Sequence, residues 1–265
     1  MKTKHILISL AVIVVAGCSG YEKVLKSSDV DLKYRKAFEY YNDEDYARAS
    51  TLFEQLMPLT RGTSKADSVH YYLAKSLYGQ KDYILAGHYF GEFAEEFPRN
   101  KLATEAEFMS AYTSYLMSPR PSLDQSNTYK AIQEFQFFII KHTEHSRVNE
   151  AKELIAEMQD KLVEKSYMSA KLYYDLGDYK SAIIALQNSL NSYPDTKFRE
   201  ELMFLILESH YLLAKNSIPE KQRTRYQDTV DEYYSFTGEF PESKYTKEAK
   251  NIYERSSDYL NLTQK

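Results

Sequence analysis

The chain has 265 residues, a formal net charge of −4 and 27% charged residues, with 8 Gly and 7 Pro. An acidic balance with no evident basic face argues against nucleic acid as a partner. The mixed, Gly/Pro-poor composition excludes a disordered chain. Aromatic usage stands out: 25 Tyr and 13 Phe, but no Trp.

In chain order, Met1-Lys2-Thr3-Lys4-His5 is a basic start, Ile6 to Ala16 is apolar, and Gly17-Cys18-Ser19-Gly20 is small. That sequence of features predicts a secretory signal peptide over 1–17. The apolar run is too short for a membrane span, which needs roughly 20 residues. Val15-Ala16-Gly17-Cys18 resembles the lipobox of bacterial lipoproteins, and Cys18 is the only cysteine. A lone thiol in an exported chain has no disulfide partner, and acylation removes that liability. The lipobox resemblance implies lipidation of Cys18 and a lipid-anchored linker over 18–29. Multiple acyl chains make such an anchor stable.

A ten-residue punctuation then recurs. Phe97-Pro98-Arg99-Asn100 through Glu105-Ala106 returns as Tyr193-Pro194-Asp195-Thr196 through Glu201-Leu202, and as Phe240-Pro241-Glu242-Ser243 through Glu248-Ala249. His142-Thr143 through Glu150-Ala151 is a weaker copy, and Thr60-Arg61 through Ser68-Val69 is weaker still. Each is a helix stop followed by a helix start. Between these marks, Ala74, Leu77, Asp82-Tyr83, Ala86, Phe90 and Phe93 hold fixed offsets. Ala37, Tyr40, Asp45-Tyr46, Ala49, Phe53 and Leu56 repeat them, as do Ala170, Tyr173, Asp178-Tyr179, Ala182 and Leu186. These offsets resemble the tetratricopeptide repeat, a helix-turn-helix of about 34 residues. The expected fold is all-α: a tetratricopeptide-like helix-turn-helix solenoid of five repeats. The third repeat carries an insertion at Ser118–Gln125, and the fourth starts after a helical stretch from Asn149 to Lys165. The fifth carries an insertion near Ser217–Arg223, and Ser243–Leu262 forms a terminal capping helix. The division expected is 30–143 for N-terminal repeats 1–3, and 144–265 for C-terminal repeats 4–5 with the terminal helix.

Aligning the first helices exposes an aromatic ladder. One column holds Tyr34, Tyr71, Phe108, Tyr167 and Phe204. Seven residues on, another holds Tyr41, Tyr78, Tyr115, Tyr174 and Tyr211. Both columns lie on one helix face. Between them sit Phe38, Lys75, Tyr112, Lys171 and Glu208. Two roles are open: scaffold, with the ring packed and the hydroxyl wet, or a groove for a peptide with aromatic side chains. The groove candidates are Tyr34, Phe38, Tyr41, Tyr71, Lys75, Tyr78, Phe108, Tyr112 and Tyr115. In the groove reading Tyr71, Tyr78 and Tyr112 form a partly exposed centre, and Lys75 pairs with a terminal carboxylate.

No catalytic constellation is present: no GxSxG, no phosphate loop, no HExxH. His142 and His145 lie in an inter-repeat link with only Glu144 nearby, so neither metal nor cofactor is expected, nor an enzyme.

The order of features also resembles the BamD family of outer-membrane assembly lipoproteins. The matching stretches are Lys33-Tyr34, Ala37-Phe38-Glu39-Tyr40-Tyr41, Leu52-Phe53-Glu54-Gln55-Leu56, Tyr89-Phe90, Phe93 and Phe97-Pro98. The most specific is Asp124-Gln125, Thr128, Ala131-Ile132, Phe135-Gln136 and Phe138-Ile139. His142-Thr143 departs from the aromatic-proline pair usual there. The resemblance implies a non-catalytic outer-membrane lipoprotein facing the periplasm. It implies binding to the barrel subunit BamA through POTRA domains, mainly by the C-terminal repeats, and receipt of unfolded barrel clients. Exposed candidates for the partner contact are Arg199, Lys221, Arg223, Arg225 and Tyr253. The alternative is another periplasmic repeat lipoprotein that scaffolds envelope or cell-division enzymes.

Overall fold

The computed structural model describes residues 20–262, so Cys18 and the signal segment 1–17 lie outside the described residues. Every regular element among the described residues is a helix. They are α1 (20–25), α2 (Val30–Asn42), α3 (Tyr46–Thr60), α4 (Ala66–Gly79), α5 (Tyr83–Glu96), α6 (Ala103–Leu116) and α7 (Ser126–Lys141). There follow α8 (Val148–Asp175), α9 (Tyr179–Ser192), α10 (Arg199–Lys215), α11 (Pro219–Glu239) and α12 (Thr246–Leu262). Consecutive helices pair as hairpins: α2/α3, α4/α5 and α6/α7, then α8/α9 and α10/α11, closed by α12.

The Asp-Tyr offsets turn the chain by local chemistry. Asp45, Asp82 and Asp178 are N-caps whose carboxylates accept from the backbone N–H of Arg48, Leu85 and Ser181. The residue before each closes the preceding helix in the left-handed region: Glu44 at φ 59°, Lys81 at φ 63° and Gly177 at φ 77°. The next N–H reaches back five residues, Asp45 to the Tyr40 carbonyl at 2.8 Å and Asp178 to the Tyr173 carbonyl at 3.0 Å. This is the Schellman closure.

The repeat ends follow a second local rule. The Phe97 ring packs on Phe93 at 5.3 Å and Phe240 on Phe236 at 6.0 Å. His142, the departure noted above, takes the same place: its ring lies 5.2 Å from Phe138. Its Nε2 lies 2.8 Å from Glu107 Oε2. An imidazole thus serves as the aromatic stop and adds a polar tie to the preceding helix.

The chain divides into two units. Unit 1 comprises the described residues up to 119 together with 125–156, and unit 2 comprises 120–124 and 157–262. The sequence-based boundary at 143/144 falls ahead of this division, which runs inside α8. The helical stretch expected at 149–165 and the first helix of repeat 4 are one continuous helix of 28 residues. No stop signal interrupts 148–175, so the backbone hydrogen-bond ladder propagates.

In unit 1, Phe53, Phe90, Phe93, Phe108, Phe135 and Phe138 are fully buried, with Ala37, Ala74, Ala86 and Ala131 allowing close helix approach. Buried Lys33 ties the segment before α2 to the array, its Nζ donating to the Leu25 carbonyl and to Gln55 Oε1. Unit 2 has two adjoining clusters. One joins Ala170, Ala182, Leu186, Leu202, Leu205 and Ile206. The other joins Met203, Phe204, Leu207 and Phe236 to Ala249 and Ile252 of α12, so the terminal helix is part of the core. The residue 120–124 insertion is held by Lys165, whose Nζ donates to the carbonyls of Ser122 and Leu123 at 3.2 and 3.1 Å.

Candidate functional site

The ladder forms as the periodicity requires, but its two columns differ. In unit 1, Phe108 is fully buried and Tyr71 is 8% exposed. The expected exposure of Tyr71 therefore fails. Its ring lies 5.2 Å from Phe93 and 5.9 Å from Phe90, wedged between α4 and α5. Burial, then the nearby Glu105 carboxylate, pushes the Tyr71 hydroxyl up to about 12. Phe108 is covered by the Arg147 guanidinium, 4.3 Å above its ring. Arg147 in turn makes paired hydrogen bonds to Glu105, at 2.7 and 3.0 Å, and to Glu150, at 3.0 and 3.2 Å.

The remaining unit 1 candidates, Tyr34, Phe38, Tyr41, Lys75, Tyr78, Tyr112 and Tyr115, are half-buried. They join into two aromatic groups. Around α2, Phe38 contacts Tyr34 at 4.9 Å and Tyr72 at 4.7 Å, and Tyr41 meets Tyr72 at 4.9 Å. On α6, Tyr112 stacks between Phe108 at 6.0 Å and Tyr115 at 5.6 Å. Tyr72, the hub of the first group, was not among the sequence candidates. The only signal was its place beside Tyr71, in a column otherwise held by Arg35, Met109, Met168 and Leu205.

The polar ends of the ladder separate the units. In unit 2 the Tyr167 and Tyr174 hydroxyls donate to Glu201 and Glu208, each 34 residues on and each at 2.7 Å. Burial and those carboxylates hold both phenols well above their usual range. Lys171 is paired with Asp175 at 2.7 Å. Unit 2 thus uses Tyr167 and Tyr174 to fasten one repeat to the next, while the Tyr211 ring packs 6.2 Å from Tyr226. In unit 1 Tyr34 does so, through Ser68 at 3.0 Å. Among the described residues, the hydroxyls of Tyr41, Tyr71, Tyr78 and Tyr112 make no hydrogen bond, and Lys75, on the face between Tyr71 and Tyr78, has no ion pair. Burial raises the phenols of Tyr41 and Tyr78.

The partner candidates do not form one patch. Arg199, at the start of α10, pairs with Glu239 at the end of α11. Arg225, near the start of α11, donates to Ser217 Oγ. Glu239 lies fourteen positions after Arg225 on the same helix, about 21 Å along the axis. Lys221 and Arg223 are exposed on the first turns of α11. Tyr253 stacks on Tyr233 at 4.5 Å, and its hydroxyl accepts from Tyr234 at 3.1 Å. Among the described residues there is no group of side chains arranged to hold a metal ion, and no helix long and apolar enough to cross a membrane.

An all-α array of tetratricopeptide-like hairpins with an aromatic ladder on their first helices is the class that fold and site define. The YfiO family model, described as "Outer membrane lipoprotein", matches residues 27–227, and the chain belongs to this family. Among similar proteins is the putative outer membrane protein assembly factor BamD of Aquifex aeolicus (strain VF5), 25% identical over 225 residues, covering 84% of this chain and 73% of that one. Among solved structures, the TPR2AB domain of yeast Sti1 in its complex with pHSP90 aligns over 86% of this chain and 98% of its own, at 12% identity and a TM-score of 0.38.

Proposed function

We propose that this chain is the lipoprotein subunit of a β-barrel assembly machinery. Membership of an outer-membrane lipoprotein family and a relative named as an assembly factor support that reading. It acts as a non-catalytic scaffold, tethered to the outer membrane through acylated Cys18 and facing the periplasm. The C-terminal repeats bind the POTRA domains of a BamA-like barrel subunit. The unit 1 ladder receives C-terminal segments of unfolded outer-membrane proteins.

One observation carries the client assignment: unit 2 pairs Tyr167, Tyr174 and Lys171 internally, whereas unit 1 leaves Tyr78, Tyr112 and Lys75 unpaired together on a half-buried aromatic face. Rings offer apolar area, and an unpaired ammonium offers a carboxylate site. Tyr71 and Phe108 serve as the wall behind that face. The test is titration of a barrel-derived peptide ending in Phe against wild type, Lys75→Gln and Tyr78→Ala/Tyr112→Ala. Each variant should bind about tenfold more weakly, since tenfold corresponds to roughly 1.4 kcal/mol. C-terminal amidation should weaken binding to wild type but not to Lys75→Gln. Equal affinity of all three proteins would return the ladder to a purely structural role.

A further inference from the structure

Unit 1 carries a second groove, on the other side of α6. Ser110 lies two residues from both Phe108 and Tyr112, and two residues turn a helix by about 200°. Its floor therefore faces away from the ladder. α5 and α7 wall the groove, and two adjoining hollows of about 670 and 560 Å³ share Gly91, Glu95 and Ser110. The floor sits close to α5: a Cβ on Gly87 would lie 2.4 Å from Thr113 Oγ1. The walls present apolar surface to solvent, with Ile84 73% and Phe137 62% exposed.

Between those walls sits an unsatisfied acid. Glu134 Oε2 is buried and has no hydrogen-bond partner, and Lys130 stands 3.8 Å from the other carboxylate oxygen. A buried acceptor without a donor is costly. The repeat does not need an acid there. Eight residues before the caps Phe97, His142, Tyr193 and Phe240, the same column holds Tyr89, Glu134, Ala185 and Glu232. Glu232 recurs in the matching groove of unit 2, about 550 Å³ between α9 and α11. There, burial pushes its carboxyl above the usual range. The unit 2 groove differs in its lining: Ser235 stands where Phe137 stands in unit 1, Gln187 where Gly91 stands and Ile206 where Ser110 stands, so that groove lacks both the Phe137 wall and the small floor.

We propose that the α5–α6–α7 groove docks a partner segment presenting an arginine or lysine between apolar side chains, the cation on Glu134 and the apolar flanks on Ile84 and Phe137. Charge complementarity selects the cation, the exposed walls select its neighbours, and the small floor admits close approach. The surface is separate from the client ladder, and both can be occupied on one molecule.

The probe is a labelled helical 14-mer with one arginine among leucines on one face, and its citrulline twin, titrated by anisotropy into the mature chain. The arginine peptide should bind at least tenfold tighter than the citrulline peptide to wild type, and the two equally to Glu134→Gln. Phe137→Ser should weaken both peptides, and Glu232→Gln should change nothing. Equal binding of the twins to wild type, an unaltered Glu134→Gln, or loss of binding in Tyr78→Ala/Tyr112→Ala would overturn the proposal. A ligand-free measurement stands beside it. Glu134→Met removes the buried oxygen that has no donor, at the cost of a 3.8 Å pair with Lys130, and should raise the thermal midpoint, whereas a fall would assign Glu134 to the scaffold.

Discussion

Tyr71 and Tyr78 stand two turns apart on α4 with the same ring and different fates. Tyr71 is wedged against Phe90 and Phe93, while Tyr78 keeps a half-exposed ring. That difference has a pH signature. The fold favours the protonated Tyr71 phenol, whose titration moves up to about 12, chiefly by burial. An unfolded tyrosine titrates near pH ~10. The contribution is therefore complete below about pH 10 and is lost as pH rises through about 12. Tyr71→Phe should move the alkaline unfolding midpoint upward and remove one late-titrating phenol from the absorbance titration. An unchanged midpoint would mean that the Tyr71 phenol ionises no differently when the chain unfolds.

At the scale of the element, the turns carry a correctable strain. Glu44 and Lys81 occupy the left-handed position that Gly177 fills in repeat 4. A side chain there costs roughly 1–2 kcal/mol, partly offset because glycine loses more backbone entropy on folding. Glu44→Gly and Lys81→Gly should each stabilise by about 0.5–1 kcal/mol, and Gly177→Ala should destabilise by about 1 kcal/mol. Thermal midpoints of the three variants check this, and a fall for both glycine substitutions would rule the strain out. The same turns explain why the Asp-Tyr offsets were readable. A capping carboxylate three residues from its amide is a local device, independent of what the helix later packs against.

At the scale of the whole molecule, each unit has its own core, and α12 belongs to that of unit 2. Deleting 243–265 strips Ala249 and Ile252 from Phe204, Leu207 and Phe236. Hydrogen exchange should then show protection lost in α9–α11 and kept in α3–α6. Loss throughout would mean that the two cores unfold together. Partner binding is better tested by Lys221→Glu, which changes an exposed charge without touching the core. Attachment is a separate matter: Cys18→Ala should abolish incorporation of labelled fatty acid, and equal labelling of mutant and wild type would remove the lipoprotein assignment.

The sequence by itself determined the helical repeat, its five hairpins, the recurring Asp-Tyr offsets, the aromatic stops and the shared face of the ladder. Each is written within a few turns of helix, where spacing maps directly onto geometry. Only the tertiary structure decided what those residues face. Whether a ladder hydroxyl is spent depends on what the residue 34 positions later faces: Glu201 and Glu208 meet Tyr167 and Tyr174, whereas Glu105, 34 positions after Tyr71, is taken by Arg147. The burial of Tyr71, the hub role of Tyr72, the Arg147 lid over Phe108 and the open acid Glu134 likewise arise from contacts between helices that no single-helix period encodes. The pattern assigns a residue to a face, and packing alone determines whether that face meets protein or solvent.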